Sequence, residues 1–128
     1  MYKLTHHITS LPTSQYIQEY RNPEKFISFC QQCERYNRCW ACPPFEFNTD
    51  EYLSGYQQTY IIGTKITFET ATRNSCTTLE RHKTISLQAI ESARKIIDPR
   101  LLTLEHEYPD SRAFYAGTCH LCPLNSCT

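Results

Sequence analysis

Two stretches of the chain alternate in side-chain character with the period of a β-strand. Residues 2–8 alternate in this way and predict a short strand at the N-terminus. Residues 58–70 show a stronger alternation and predict a second strand with one apolar face. The apolar side chains of that face are Tyr60, Ile62, Ile66 and Phe68.

Helical spacing predicts three helices and the start of a fourth. Ser14 is a candidate cap for a short helix with an apolar face over residues 16–20. Asn22 and Pro23 are a typical helix start, since Asn caps the end and Pro fits the first turn. An apolar stripe over residues 78–97 predicts the third helix. Pro99 is expected to end that helix and to begin a further short one.

The remaining segments complete the predicted fold. Residues 34–50 are predicted to be a loop, because Pro43-Pro44 interrupts any regular helix. Residues 112–116 are expected to form a last strand. A strand, a helical crossover and a strand make a βαβ unit, whose strands are parallel with a right-handed crossover. The predicted fold class is therefore α/β, alternatively α+β, in one small domain over residues 1–128.

The charge balance and the hydropathy exclude several classes of protein. Thirteen Lys and Arg residues offset thirteen Asp and Glu residues, which excludes a basic nucleic-acid binder held by counterion release. No apolar run approaches the roughly 18 residues of a membrane span. Residues 1–7 lack the apolar core of a secretory signal. We therefore expect a cytoplasmic protein that binds neither nucleic acid nor a membrane, and the oligomeric state stays open.

Cysteine is the unusual component, with eight residues among 128. An even count this high also occurs in secreted disulfide domains. Here the cysteines are clustered and no secretory signal is visible, so we expect a reducing compartment. The first cluster holds Cys30, Cys33, Cys39 and Cys42, the second holds Cys119, Cys122 and Cys127, and Cys76 stands apart.

The spacing within both clusters is typical of metal ligands. Two residues between cysteines let one turn aim both sulfurs at one ion, at about 2.3 Å. A proline follows Cys42 and Cys122, as prolines follow ligand cysteines in ferredoxins. The two pairs of the first cluster lie closer together than the roughly 15–20 residues of a zinc ribbon. We therefore expect two cysteine knuckles that meet at one end of the fold, with disulfides, unliganded thiols or redox-active dithiols as alternatives.

Two longer motifs resemble those of a known family. Residues 29–45 resemble a C-x2-C-x2-Y-x3-W-x-C-P-P signature, and residues 112–122 resemble a second one that ends in G-x-C-x-L-C. Together they resemble an uncharacterised prokaryotic family of predicted metal-binding proteins, domain of unknown function 2284, with a shortened C-terminus here. The resemblance implies a set of cofactor and metal ligands, namely Cys30, Cys33, Cys42, Cys119 and Cys122. Cys39 and Cys127 depart from the family pattern and are additional candidate metal ligands.

These residues lead to three functional hypotheses. The Cys-Pro pairs and the surplus of thiols favour an iron–sulfur cluster over Zn²⁺, in an electron carrier or accessory subunit with a redox partner protein. The alternative is a structural zinc-binding interaction module. The weaker alternative is a thiol-dependent or metal-assisted enzyme, for which no catalytic residue is assigned because no nucleophile–base arrangement is visible. We also expect Trp40 to anchor the cysteine loop in the core and Glu105 to lie on a helix face.

Overall fold

The computed structural model describes residues 2–117, Cys119 and Cys122. These residues form two strands and five helices. The elements in chain order are β1 (Tyr2–Pro12), α1 (Thr13–Tyr20), α2 (Pro23–Gln31), α3 (Thr49–Ser54), β2 (Gln58–Phe68), α4 (Thr70–Ser75) and α5 (Leu79–Glu107). None of the helices in this described part has the length and apolar character needed to cross a bilayer.

β1 and β2 pair as an antiparallel sheet of two strands. Near one end the Tyr2 and Phe68 rings meet edge to face, with 6.2 Å between their centroids. Towards the other end the Thr13 amide donates to the Gln57 carbonyl at 3.0 Å. As the residue number rises along β1, the number of the paired residue falls, which is the register of an antiparallel pair.

This pairing confirms the α+β alternative and corrects the predicted βαβ unit. Residues 111–115 are irregular, so the last strand expected at residues 112–116 is not formed. The reason is local. The Ala113 amide donates to the Glu105 carboxylate at 2.9 Å, and the Arg112 guanidinium approaches the same carboxylate at 3.5 Å. A side chain thus satisfies the backbone donor that a strand partner would otherwise satisfy.

Caps explain where the helices begin. α2 starts as predicted, with Asn22 accepting from the Lys25 amide at 3.1 Å and Pro23 in the first turn. α1 begins at Thr13 after Pro12, without a capping side chain, so the expected Ser14 cap is not used. α3 was not predicted. Its cap is Asn48, which accepts from two amides of the first turn.

α5 is longer than predicted because it continues through Pro99. Just before the proline, Arg94 and Asp98 form an ion pair of 3.0 Å one helical turn apart, with both side chains largely buried. Pro99 cannot donate a backbone hydrogen bond, but its own carbonyl accepts from the Thr103 hydroxyl at 3.0 Å. The expected helix break is therefore replaced by one helix from Leu79 to Glu107.

The chain divides into two compact units. The first contains the N-terminal residues up to Ile8 and residues 62–116. Its buried apolar side chains among the described residues are Ala89 and Ala93 of α5, each 3% exposed. Within it, the Arg81 side chain of α5 donates to the Ser75 carbonyl at the end of α4, at 3.0 Å.

The second unit contains residues 9–61 and, from the C-terminal part, the described residues 117, 119 and 122. In it α1 packs on α3, and Arg21 reinforces the contact by pairing with Asp50 and donating to the Thr49 hydroxyl at 2.7 Å. Thr13 is its one buried residue among those described, and its hydroxyl bonds to that of Thr59 at 2.9 Å. This unit therefore has little apolar core.

Candidate metal centre

The first cysteine cluster begins in the last turn of α2 and continues through residues that form neither a helix nor a strand. Cys30 lies in the last turn of α2, and the Cys33 amide donates to its carbonyl at 3.0 Å. The second pair repeats this arrangement, because the Cys42 amide donates to the Cys39 carbonyl at 3.0 Å. Each Cys-x2-Cys segment thus closes one backbone turn, which is the local geometry expected of a ligand pair.

One hydrogen bond closes the loop between these two turns. The Asn37 amide donates to the Pro43 carbonyl at 2.8 Å, so the chain folds back on itself around the second pair. Asn37 has a positive φ of 58°, a left-handed conformation that Asn adopts more readily than most residues. The Pro43-Pro44 peptide bond that follows is cis. We call residues 30–44 the cysteine loop.

Three sulfurs of the cysteine loop interact electrostatically. Burial raises the pKa of the Cys42 thiol above its ordinary value of 9.0, and the neighbouring Cys39 and Cys33 sulfurs raise it further. Hydrogen bonding with the Cys39 side chain also contributes to the raised pKa of Cys42. The Arg35 guanidinium opposes the rise in the pKa of Cys42 and reaches the Cys39 sulfur at 3.8 Å. These sulfurs therefore share one polar environment.

The second cluster is described in part. Cys119 and Cys122 are half-buried and belong to the same compact unit as the cysteine loop, whereas Cys127 lies outside the described residues. Gly117, with a φ of 78°, turns the chain just before Cys119. Cys76 lies in the other unit, where its thiol donates to the Thr72 carbonyl at 3.4 Å. The division into units thus groups Cys119 and Cys122 with the cysteine loop and assigns Cys76 to the other unit.

No three side chains of ligand type come together around one point among residues 2–117, Cys119 and Cys122. No disulfide joins any two of the described cysteines either. The donor chemistry still suits a thiophilic metal, because the cysteine loop offers four thiols, and Cys33 and Cys39 both raise the pKa of Cys42. The ligand set Cys30, Cys33, Cys42, Cys119 and Cys122 remains a prediction.

The surroundings of the cysteine loop differ from the expectation in one respect. Trp40 is 85% exposed, so it does not anchor the loop in a core. Its indole lies at the surface, within the short turn that joins Cys39 to Cys42.

Sequence reasoning also missed an aromatic row beside the loop. The rings of Phe45, Phe47, Tyr52 and Tyr56 follow one another with centroids 5.5, 5.6 and 5.8 Å apart. The Asn48 cap, followed by Asp50 and Glu51 in the first turn, was the available signal, because it predicts the short helix α3 that carries Tyr52. Tyr56 follows two residues after the end of α3.

A family model described as "Predicted metal-binding protein (DUF2284)" matches residues 16–128 of this chain. The match includes both cysteine clusters and begins within α1. Neither the curated proteins nor the solved structures contain a significant match to the chain.

Proposed function

Because the chain belongs to the DUF2284 family of predicted metal-binding proteins, we propose that its cysteines ligate an iron–sulfur cluster and that it serves as an electron carrier or accessory subunit of a redox partner. The observation that carries this proposal is the cysteine loop. Two ligand-type turns follow one another in it, and Cys33 and Cys39 lie near enough to Cys42 to raise its pKa. Several cysteine side chains within one short loop are the type of ligand that iron–sulfur clusters require.

The residues that would hold the cluster are the family-implied set of Cys30, Cys33, Cys42, Cys119 and Cys122. Their placement in one compact unit supports a shared centre. A bound cluster would supply a one-electron redox couple. Arg35 would offset part of the negative charge that several thiolates carry, since its guanidinium already reaches the Cys39 sulfur. We propose a cytoplasmic location as well, since a reducing compartment keeps cysteine ligands from forming disulfides.

Metal and sulfide analysis of protein purified without oxygen tests the proposal. We expect visible absorbance, bound iron and acid-labile sulfide in the full chain. The Cys42→Ser and Cys119→Ser variants should lose most of the iron. Cys76→Ser is the matched control and should retain all of it, because Cys76 lies in the other compact unit. Iron that is bound equally well by all three variants would contradict the proposed ligand set.

A structural zinc module is the second candidate, and the sparse core of the second unit favours it. Thr13 is the one buried residue among the described residues of that unit, so apolar burial contributes little to its stability. A zinc ion bound by cysteines supplies folding free energy in small domains with this deficit. A colourless protein with stoichiometric zinc that unfolds on chelation would establish this candidate and exclude the iron–sulfur proposal. A protein without metal would exclude both.

A further inference from the structure

The Cys39–Cys42 pair has the geometry of a dithiol that can close into a disulfide. The turn between them is hydrogen bonded from the Cys42 amide to the Cys39 carbonyl at 3.0 Å. Such a turn holds the two Cα atoms within about 7 Å, and disulfides span about 4.4–6.8 Å between Cα atoms. Little backbone movement separates the dithiol from the disulfide.

The surroundings make Cys39 the attacking thiol of the pair. The Arg35 guanidinium lies 3.8 Å from the Cys39 sulfur, and a partly exposed cysteine beside a cation is characteristic of reactive cysteines. Trp40, which is 85% exposed, follows Cys39 directly and offers an apolar surface to a docking substrate. Cys42 supplies the second thiol one turn away, as a resolving cysteine does.

We propose that Cys39 and Cys42 reduce disulfide substrates by thiol–disulfide exchange. The Cys39 thiolate attacks one sulfur of the substrate, the substrate S–S bond breaks, and one substrate thiolate leaves and is protonated. Cys42 then loses its proton and attacks the Cys39 sulfur, the mixed disulfide breaks, and the second substrate thiol leaves with that proton. The protein dithiol is oxidised by two electrons to the Cys39–Cys42 disulfide, and the substrate disulfide is reduced to two thiols.

This activity goes beyond metal binding and competes with it for one residue. Cys39 is outside the ligand set that the family resemblance implies, whereas Cys42 is within it. Metal content and exchange activity are therefore separate measurements. A protein that binds no metal can still exchange disulfides, and a metal-loaded protein can fail to do so.

Trypsin separates the relevant cysteines and so permits a direct test. Cleavage after Lys25, Arg35, Arg38 and Lys65 places Cys30 and Cys33 on the peptide 26–35, and Cys39 and Cys42 on the peptide 39–65. Reduced full-length protein is incubated with oxidised glutathione, alkylated at intervals and digested for mass spectrometry. We expect the peptide 39–65 to acquire an internal disulfide first. The peptide 26–35 is the internal control, because it has the same spacing and the same hydrogen-bonded turn.

Variants distinguish the two steps of the exchange. Cys42→Ser should stop at a mixed disulfide that carries one glutathione on the peptide 39–65. Cys39→Ser should lose rapid glutathione capture by that peptide, and Cys76→Ser should behave as the wild type. The proposal is overturned if the peptide 26–35 oxidises first in the wild type, or if Cys42→Ser captures glutathione no faster on the peptide 39–65 than on the peptide 26–35. The wild-type result decides the matter even if Cys39→Ser folds poorly.

Discussion

At the scale of single residues, the cysteine loop depends on one left-handed backbone position. Asn37 adopts a φ of 58° while its amide donates to the Pro43 carbonyl. Asn37→Ala should therefore lower the free energy of unfolding by about 1 kcal/mol. Alanine has a Cβ atom but lacks the polar side chain that lets Asn tolerate this conformation. Asn37→Gly is the matched control and should remain close to the wild type, since glycine adopts positive φ without strain. If urea denaturation shows the same loss of unfolding free energy in both variants, the Asn37 side chain and not its backbone conformation stabilises the loop.

A second prediction at this scale concerns the pH dependence of the Cys42 thiol in reduced, metal-free protein. Burial, together with Cys39 and Cys33, raises the pKa of Cys42 above 9.0, so the folded chain holds this proton more tightly than the unfolded chain. The linked stabilisation is fully present below pH 9.0 and is lost as the pH rises through the folded pKa. Alkylation of Cys42 by iodoacetamide should become half-maximal at a higher pH in folded protein than in urea. Coincident pH profiles would contradict the described environment.

At the scale of elements, the sequence predicts regular segments well and their ends poorly. Period-two alternation identified β1 and β2, and the Asn22-Pro23 start identified α2. The six-residue helices α3 and α4 escaped because they are too short to show an apolar stripe. The strand expected at residues 112–116 failed because its pairing partner is the side chain of Glu105, and a contact between a carboxylate and an amide eight residues away leaves no periodic trace.

The continuity of α5 through Pro99 leads to a prediction about helix stability. Proline in a helix interior costs about 3 kcal/mol relative to alanine, because it lacks a donor and crowds the preceding turn. Pro99→Ala should therefore raise the free energy of unfolding, by up to about 3 kcal/mol, and should raise the helical signal in circular dichroism. Arg100→Ala, at the exposed neighbouring position, should change the free energy by less than about 0.5 kcal/mol. Destabilisation by Pro99→Ala would mean that the native packing requires the proline.

At the scale of the whole molecule, the second unit has a small apolar core. Large apolar side chains of the second unit remain exposed among its described residues, including Phe29 at 60%, Phe47 at 54% and Tyr60 at 68%. Apolar burial is therefore a weak source of stability in this unit. The cysteine loop, Cys119 and Cys122 all belong to it, although most of the chain lies between the loop and Cys119 in sequence. A shared metal would close that long loop and restrict the unfolded chain, as a disulfide does.

Metal binding and folding should therefore be coupled. At a metal concentration a hundredfold above the dissociation constant, the free energy of unfolding should rise by about 2.7 kcal/mol. Cys119→Ser should abolish this rise even though the cysteine loop is intact, because the loop alone does not close the long connection. Cys76→Ser should keep the full rise, since Cys76 lies in the other unit. The measurement is denaturant unfolding of each variant with and without metal. An undiminished rise in Cys119→Ser would place the entire centre within the cysteine loop and would remove Cys119 from the ligand set.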